Sequence, residues 1–330
     1  MHEAYRGFPT DWLKLVRCHQ AQCEGALHAG EEAPPHILQG HVDCLRCAHR
    51  YPIEAGILRL LNPVALHGES DNERRTRDRQ ALDIDHSWED TPWVKMELVP
   101  TLKASAPLAQ AQVLELGAGT GRYSVRMAER GARLLATDFS FNSLRVLAER
   151  VKPGWEVALV EADCTRLRLA PGRFDLVAST LMSNLPAPDH REAVYQLAAS
   201  ALREGGKFVF STHHHSWRAR WRGEAQAGHY RSGGIYRYLF RQGEIRRETR
   251  RFFGSVDCRP MQIHVPLSAK LRVQYVASRM AERIWPLNRL GDLLLVAARK
   301  PYRTAAAFLV SHAHWLSEWT PLLEAVGSAC

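Results

Sequence analysis

The chain has 330 residues, a formal net charge of +9 and 45% hydrophobic residues. This length and composition are typical of a globular protein of one or two domains, and they argue against a disordered chain. No apolar run reaches about 18 residues, so we expect no transmembrane helix and no membrane partner.

The start of the chain lacks the basic and then apolar order of a signal peptide. We therefore expect a cytoplasmic protein in which the seven cysteines stay reduced. The charge is unevenly distributed along the sequence. Residues 1–70 hold six Lys or Arg and eight Asp or Glu, whereas residues 211–251 hold ten Arg and three Glu. The basic excess thus lies in one segment, where it bears on what the protein binds.

Residues 1–65 contain two cysteine pairs, Cys18 with Cys23 and Cys44 with Cys47. Two such pairs fit a tetrahedral zinc site built by two turns. The stretch that follows, YPIEAGILRLL from residue 51, resembles the end of zinc-ribbon domains of the methyltransferase-activator type. In that family the first pair is C-x-x-C, and the two extra residues here make His19 an alternative ligand. The other interpretation is a ribbon that has lost its metal and is held by apolar packing.

Residues 66–110 should connect this module to the next domain. The polar run from Gly68 to Arg79 predicts a linker. A helical pattern then extends from Arg74 to Leu102, with breaks at Pro92 and Pro100. Several side chains of this segment could reach a neighbouring site or simply pack the helices: Asp83, Asp85, His86, Trp88 and Trp93.

From Val113 the sequence VLELGAGTGRYSVRMAERGARLLATDFS predicts a strand, a glycine loop, a helix and a second strand. The glycines let backbone N–H groups approach a ligand at a helix N-terminus. The second strand ends at Asp138, and an acid there can accept hydrogen bonds from two ribose hydroxyls. This unit therefore predicts a nucleotide-like ligand.

The glycine spacing distinguishes between ligand classes. A dinucleotide fingerprint, G-x-G-x-x-G, needs its third glycine at position 122, which is Arg122. The pattern present, E-x-G-x-G-x-G, resembles motif I of class I S-adenosylmethionine-dependent methyltransferases. Three further segments resemble that family in order and spacing: EADC at 161–164, FDLV at 174–177 and LREGGKFVF at 202–210, the last with Glu204 where proline is commoner. A nucleotide-binding α/β domain of another kind is the alternative.

The resemblance covers roughly residues 75–300 and implies an α/β fold over 111–300. That fold is a Rossmann-like sheet of seven strands with helices on both faces and an antiparallel last strand. It also implies that the preceding helical segment closes over the cofactor. The residues implied to bind S-adenosyl-L-methionine are Glu115, Gly117, Ala118, Gly119, Gly121, Asp138, Phe139, Asp163, Cys164 and Thr180. Among them, Glu115 would orient the loop or meet the amino group, Asp138 the ribose and Asp163 the adenine.

The fifth strand should deliver His213, His214 and His215 to the sheet edge where open α/β sheets bind ligands. Neutral imidazole has a pKa suited to a general base near pH 7, and it can also position an acceptor. Side chains alternate along an extended chain, so either His213 and His215 or His214 alone should face the site. A histidine metal site, or a polar strand end without a catalytic role, are the alternatives.

Residues 211–257 read as an insertion that covers the acceptor pocket. We expect two strands here, Tyr236 to Phe240 and Ile245 to Phe252, joined by a turn. Beyond the insertion, Pro260 to Leu267 predicts a strand and Ser268 to Ile284 a helix. Residues 301–330 lie outside the family core, and Ala305 to Val326 predicts an amphipathic helix that could support a homodimer.

These features predict a methyltransferase that acts by direct displacement on an oxygen or nitrogen of a small-molecule acceptor. The arginines would bind an acidic or phosphorylated group. An rRNA or tRNA base methyltransferase is the second hypothesis, because the arginine and aromatic mixture after the fifth strand suits RNA. A docking module that is non-catalytic or directed at a protein is the third.

Overall fold

A computed structural model describes residues 5–301 apart from positions 85, 181, 231 and 232. The C-terminal helix expected from Ala305 to Val326, and the homodimer expected through it, lie outside the described residues. Asp85 and the side chain of Trp88 lie outside them as well.

The N-terminal module consists of short strands joined by turns. β2, β4, β5 and β6 form an antiparallel run in that order, and β1 pairs with β3. Their bounds are β1 (Phe8–Pro9), β2 (Leu27–His28), β3 (His36–Ile37), β4 (Gly40–Cys44), β5 (Arg50–Glu54) and β6 (Ile57–Arg59).

The central sheet has the order β14-β15-β11-β10-β7-β8-β9, in which only β15 runs antiparallel to its neighbours. This arrangement confirms the expected seven-stranded α/β fold with an antiparallel last strand. The remaining strands, β12 and β13, form a separate antiparallel pair. The bounds are β7 (Gln112–Leu116), β8 (Arg133–Asp138), β9 (Val157–Glu161), β10 (Phe174–Ser179), β11 (Leu202–His213), β12 (Ala227–His229), β13 (Tyr236–Tyr238), β14 (Ser255–Met261) and β15 (Leu293–Arg299).

The N-terminal module continues the central sheet. β6 pairs in parallel with β9, with Leu58 opposite Val160, so the sheet extends to eleven strands. Arg59 adds a side-chain link, since its Nε lies 2.7 Å from Glu161 Oε2. The cysteine module is therefore joined to the α/β core by main-chain hydrogen bonds and by an ion pair.

Helices cover both faces of the sheet, as expected. Alternate strand residues point to opposite faces, and two apolar clusters result. Leu114 lies in the cluster that includes Tyr195 of α5, whereas Val113 lies in the cluster that includes Val94 of α2. The helices are α1 (Gly68–Leu82), α2 (Pro92–Ser105), α3 (Arg122–Ala128), α4 (Phe141–Arg150), α5 (Pro188–Ala201), α6 (Trp217–Trp221), α7 (Gln242–Arg250) and α8 (Gln274–Ala281). Within the described ranges, no helix is long and apolar enough to cross a membrane.

The linker prediction for the polar run after Gly68 was wrong, because this run forms most of α1. Charged residues spaced by three and four stabilise such a helix without an apolar face. Arg74 pairs with Asp71 at 3.0 Å and with Asp78 at 2.9 Å, and Arg77 pairs with Glu73 at 3.4 Å. The predicted break at Pro100 was also wrong, since α2 passes through it.

The insertion differs from the prediction as well. The stretch predicted as a strand from Ile245 lies largely in α7, and β13 pairs with β12 instead. Ile245 and Thr249 face the core at helical spacing, and both are fully buried. The sixth strand lies earlier than predicted, at Ser255–Met261, and α8 is shorter than the predicted helix.

Candidate functional site

A cavity of about 280 Å³ lies at the carboxyl edge of the parallel strands. Its walls are the glycine loop, the ends of β8, β9 and β10, and one side of α1. The implied cofactor residues that line it are Gly117, Ala118, Gly119, Asp138, Phe139, Asp163, Cys164 and Thr180. Glu115 and Gly121 do not line it. The position agrees with the general rule for ligands of open α/β sheets.

The three glycines of the loop have different roles. All three adopt positive φ angles, of 74° at Gly117, 55° at Gly119 and 94° at Gly121. A Cβ added to Gly117 or Gly119 would meet no atom within 4 Å, so both positions leave space on the cavity side. A Cβ on Gly121 would collide with Leu147 of α4. The first two glycines thus leave room for a ligand, and the third allows close packing of helices.

Asp138 lies at the end of β8 with both carboxylate oxygens oriented by the backbone. Gly119 N–H donates to Oδ2 and Ser140 N–H donates to Oδ1, each over 2.8 Å. Burial raises the pKa of Asp138, and these two donors oppose that shift. Each oxygen keeps a lone pair for a further donor, which is what a ribose diol requires.

Asp163 lies at the adenine side implied by the resemblance. Its Oδ1 accepts hydrogen bonds from Thr165 N at 2.9 Å and from Thr165 Oγ1 at 2.7 Å. Oδ2 lies 3.8 Å from Arg166 Nε. The loop is therefore held by its own side chain, with one carboxylate oxygen less engaged. Burial raises the pKa of the neighbouring Cys164 thiol, so this thiol is a neutral, apolar wall of the cavity.

Glu115 is buried one layer below the loop. Its Oε2 accepts a hydrogen bond from Ser124 Oγ at 2.6 Å, which ties β7 to α3. Burial raises the pKa of Glu115 to about 8, with Asp138 as a further cause. This position fits the role of orienting the loop better than direct contact with a ligand.

Helix α1 forms one wall of the cavity, and the sequence pattern did not mark its residues as part of a site. Asp78 Oδ1 accepts hydrogen bonds from Ser140 Oγ at 2.7 Å and from Asn142 N at 3.2 Å, which docks α1 on the start of α4. Glu73 and Arg77 then line the cavity. The acid and base residues at i,i+4 spacing were the signal for a helix here. They give no signal for a site.

A chain of polar contacts connects Glu73 to the first histidine of the triplet. Asn184 Nδ2 donates to Glu73 Oε1 over 2.7 Å, and the Tyr230 hydroxyl donates to Asn184 Oδ1 over 3.5 Å. His213 Nε2 contacts the Tyr230 hydroxyl. These directions agree with a proton on His213 Nε2, so every donor in the chain points toward Glu73. Glu73 and Asn184 line the cavity, and His213 lies behind them.

Burial shifts the protonation of both ends of this chain. It raises the pKa of Glu73 to about 7, although Arg77 and Asn184 oppose the shift. It lowers the pKa of His213 to about 4, so this imidazole is neutral near pH 7. Glu73 is thus a carboxyl group in the cavity wall whose pKa is close to neutrality.

The other two histidines of the triplet contact backbone carbonyl groups. His214 Nδ1 donates to Gly291 O at 2.7 Å, and His215 Nε2 donates to Glu224 O at 2.9 Å. Neither lines the cavity. Of the expected residues of the 66–110 segment, His86 lies 2.9 Å from Glu89, and Trp93 stacks on His264 with ring centroids 4.3 Å apart. Neither of these residues, nor Asp83, lines the cavity.

A second candidate site is formed by the four N-terminal cysteines. All four Sγ atoms lie within 4.8 Å of one another. The distances from Cys18 to Cys47 and from Cys23 to Cys44 are both 3.6 Å. Four sulfurs each about 2.3 Å from one ion would be separated by similar distances, so the set fits a tetrahedral metal.

The cysteines of the cluster differ in how readily they ionise: burial raises the pKa of the Cys18 thiol, whereas the pKa of the Cys44 thiol is lowered. Burial opposes ionisation of Cys44, but N–H donors of Cys47 and Arg46 outweigh it and lower the pKa of this thiol to about 7. The alternative ligand His19 lies outside the cluster. Its Nε2 accepts a hydrogen bond from Arg168 N at 3.3 Å, and burial lowers its pKa to about 4. His19 thus connects the module to the core instead of replacing a cysteine.

Comparison with known proteins concerns the α/β core. Residues 113–206 match the family described as "Methyltransferase domain". A demethylmenaquinone methyltransferase of Clavibacter sepedonicus is 36% identical over 118 residues, which cover 34% of this chain and 47% of that protein. A ubiquinone biosynthesis O-methyltransferase of Ralstonia nicotianae is 32% identical over 124 residues, covering 36% and 50%. The chain thus spans about half the length of these curated relatives.

Among solved structures, N-methyltransferase NodS of Bradyrhizobium japonicum WM9 in complex with S-adenosyl-L-homocysteine has a TM-score of 0.51. It is 16% identical, and the match covers 70% of this chain and all of NodS. The fold of the core is that of Rossmann-like methyltransferases. The match of residues 113–206 includes the glycine loop, Asp138 and Asp163, which line the cavity at the carboxyl edge of the sheet.

Proposed function

We propose that the protein is an S-adenosylmethionine-dependent methyltransferase. The observation that carries the proposal is the cavity at the carboxyl edge, with open glycines on one side and the oriented carboxylate of Asp138 on another. The likeness of residues 113–206 to methyltransferase domains supports the same ligand. When bound, S-adenosylmethionine would supply an electrophilic sulfonium methyl group.

The residues of this chain would mainly bind and align the reactants. Backbone N–H groups around Gly117 and Gly119 would meet the cofactor, Asp138 would hold the ribose and Asp163 the adenine. Phe139, Cys164 and Thr180 would complete the walls, while Glu115 and Gly121 would keep the loop in place. Such alignment is worth roughly 7–11 kcal/mol of the barrier for a well-oriented pair.

We propose Glu73 as the group that receives the acceptor proton. It lines the cavity, its pKa of about 7 suits a general base, and Asn184 holds its carboxylate at 2.7 Å. His213 would act through Tyr230 and Asn184 as a positioning residue. His214 and His215 would keep the end of β11 in place through their carbonyl contacts.

A small molecule that is methylated on oxygen or nitrogen is the acceptor we propose. The relatives that match over 118 and 124 residues are named for demethylmenaquinone and ubiquinone methylation, whereas a ribosomal RNA small subunit methyltransferase A of Anaeromyxobacter matches over 93 residues. The longer matches support a small acceptor, and RNA is kept as a separate arm of the test. Arg77 lines the cavity, so an acidic or phosphorylated acceptor would find a counter-charge there.

Methyl transfer from labelled S-adenosylmethionine tests this proposal. The acceptors are hydroxylated aromatic compounds, small amines and phosphorylated amines, with total bacterial RNA as a separate arm. We expect labelled small molecules, and we expect Glu73→Gln to lower kcat about 10²–10⁴-fold. The matched control is Glu69→Gln, because Glu69 lies on the same helix but does not line the cavity. Label in RNA alone would contradict the small-molecule proposal.

We also propose that the four cysteines hold one structural zinc ion. The metal would hold together the turns before β2 and after β4. Because β6 pairs with β9, the module covers the strand that would otherwise form the edge of the seven-stranded sheet. A closed site with four protein ligands has a structural role and no open position for catalysis.

A further inference from the structure

Helix α8 is oriented with its large apolar side chains toward solvent. Ser278 is fully buried and Ala281 is nearly so, whereas Val276 and Met280 are more than half exposed. Ser278 accepts a hydrogen bond from Ile263 N at 2.9 Å, which holds this helix face against the end of β14. A helix on a soluble protein normally has the reverse arrangement.

The apolar surface extends over the segments on both sides of α8. Six large side chains between residues 267 and 285 are 49–71% exposed: Leu267, Leu271, Val276, Met280, Ile284 and Trp285. We call this set the apolar face. Scattered exposed apolar residues are ordinary, but a cluster of this kind marks an interaction surface.

Basic residues alternate in sequence with those of the apolar face. Segment 262–291 contains five Lys or Arg and a single acidic residue, Glu282. Lys270, Arg272 and Arg283 are exposed. Glu282 is occupied by Arg279, Ser278 and the N–H of Gln262. Within the described part of the chain, Lys270, Arg272 and Arg283 form no ion pair, so the face combines exposed apolar side chains with positive charge.

Tryptophan side chains widen this surface. Trp285 is 71% exposed, and Trp221 of α6 is 77% exposed. The two elements are connected, because the guanidinium of Arg289 lies 5.5 Å from the ring of Trp217, which neighbours Trp221. Tryptophan is enriched where proteins meet the boundary between lipid and water.

The apolar face belongs to the same sheet edge as the candidate site. Met261 at the end of β14 and Leu293 at the start of β15 are paired, and Leu293 is also paired with His213. Segment 262–292 thus leaves and re-enters the sheet at the edge where the cavity lies. A surface bound through this face would therefore lie at the same edge of the sheet as the cavity.

We propose that the apolar face docks on an anionic lipid bilayer. Its apolar side chains would enter the headgroup boundary while Lys270, Arg272 and Arg283 meet lipid phosphates. A second copy of the chain is disfavoured as the occupant, because the surrounding charges of both copies would repel. The proposal is independent of the methyl transfer reaction. It revises the expectation of no membrane partner, which was based on the lack of an apolar run long enough to span a bilayer.

Sedimentation with lipid vesicles tests the proposal on the full chain. We expect binding to vesicles of phosphatidylglycerol and phosphatidylcholine, and little binding to phosphatidylcholine alone. The triple variant K270E/R272E/R283E should lower the partition coefficient at least about 100-fold. The control K14E/R46E/R130E makes the same charge change at exposed positions elsewhere and should bind more tightly than the triple variant.

A second pair of variants separates apolar contact from charge. Val276→Ser with Met280→Ser should weaken binding, whereas Leu45→Ser with Val64→Ser, at even more exposed positions far away in the sequence, should not. Quenching of tryptophan fluorescence by brominated lipids gives a readout that needs no variant to fold. The proposal would be overturned if the wild type does not bind vesicles, or if the face and control variants bind equally. It would also be overturned by a dimer that the face variants dissociate, without any vesicle binding.

Discussion

Asn184 donates a hydrogen bond from Nδ2 to Glu73 Oε1 over 2.7 Å. This contact joins the loop after β10 to helix α1, which are 111 residues apart in sequence. It places a carboxyl group with a pKa near neutrality in the wall of the cavity that the glycine loop also lines. The two halves of the site thus come from an unremarkable polar helix and from a recognisable sequence motif.

The raised pKa of Glu73 predicts a pH dependence of stability. The pKa in the folded protein, about 7, exceeds the ordinary value of 4.5, so the folded state binds the proton more tightly than the unfolded state. This contribution is fully present below pH 4.5 and is lost as the pH rises through 7. Without ligands, Glu73→Gln should match wild type near pH 4.5 and exceed it at pH 8 by up to about 3 kcal/mol.

Urea unfolding of both proteins at the two pH values measures this difference. The comparison isolates Glu73 from Glu115, whose pKa is also raised, because Glu115 is present in both proteins. An equal difference in unfolding free energy at both pH values would show that Glu73 does not titrate in this range.

The glycine loop predicts that substitutions at two positions have different consequences. Gly121→Ala places a Cβ against Leu147 at a φ of 94°, so we expect a loss of stability of about 2 kcal/mol or more. Gly119→Ala meets no neighbouring atom and should cost about 1 kcal/mol, from its positive φ alone. Its larger effect should be on ligand binding. Thermal unfolding and titration with S-adenosylhomocysteine separate the two effects, and similar stability losses for both variants would contradict this assignment.

Helix α1 should depend on Asp78 for its position. Asp78→Ala removes the hydrogen bonds to Ser140 and Asn142, so we expect a loss of about 1–3 kcal/mol in stability. Cofactor affinity should fall as well, since α1 carries Glu73 and Arg77 into the cavity wall. Hydrogen exchange of α1 amides measures the docking directly, with Arg75→Ala on the exposed side of the helix as the control. Unchanged exchange in Asp78→Ala would show that α1 is held by other contacts.

The cysteine cluster predicts one zinc ion per chain by elemental analysis. Cys44→Ser should lower the zinc content and the unfolding temperature together, because the metal crosslinks the two turns. Cys258→Ser is the matched control, since Cys258 is equally buried but lies on β14, away from the cluster. Wild-type protein without zinc, and unaffected by a chelator, would favour the ribbon held by apolar packing alone.

Much of the core could be predicted because its signals are local. The strand from Phe174 to Ser179 and the glycine loop after Leu116 coincide with the structure, since apolar runs and glycines act over a few residues. Of the site residues, only those that belong to such local motifs were predicted. Glu73 lies in a polar run that forms a helix through ion pairs and tertiary docking, and neither shows in hydrophobic periodicity.

The histidine triplet shows a second limit of sequence reasoning. Alternation predicts that His213 with His215, or His214 alone, faces the site, yet none of the three lines the cavity. The sequence alone does not reveal that His213 meets the Tyr230 hydroxyl and His214 the Gly291 carbonyl. The stretch from Ile245 was misinterpreted because its β-branched and aromatic residues suit either a strand or a short helix. Most of this stretch forms helix α7, which packs against β14 and β15.

The most direct test of the proposed function is isothermal titration with S-adenosylmethionine and with S-adenosylhomocysteine. The proteins to compare are wild type, Asp138→Ala and Asp257→Ala, the last an exposed aspartate on β14. We predict micromolar binding of both ligands by wild type and by Asp257→Ala, and no measurable binding by Asp138→Ala, because the ribose would lose its acceptor. Absence of binding by well-folded wild-type protein, or equal binding by all three proteins, would contradict the proposed cofactor site.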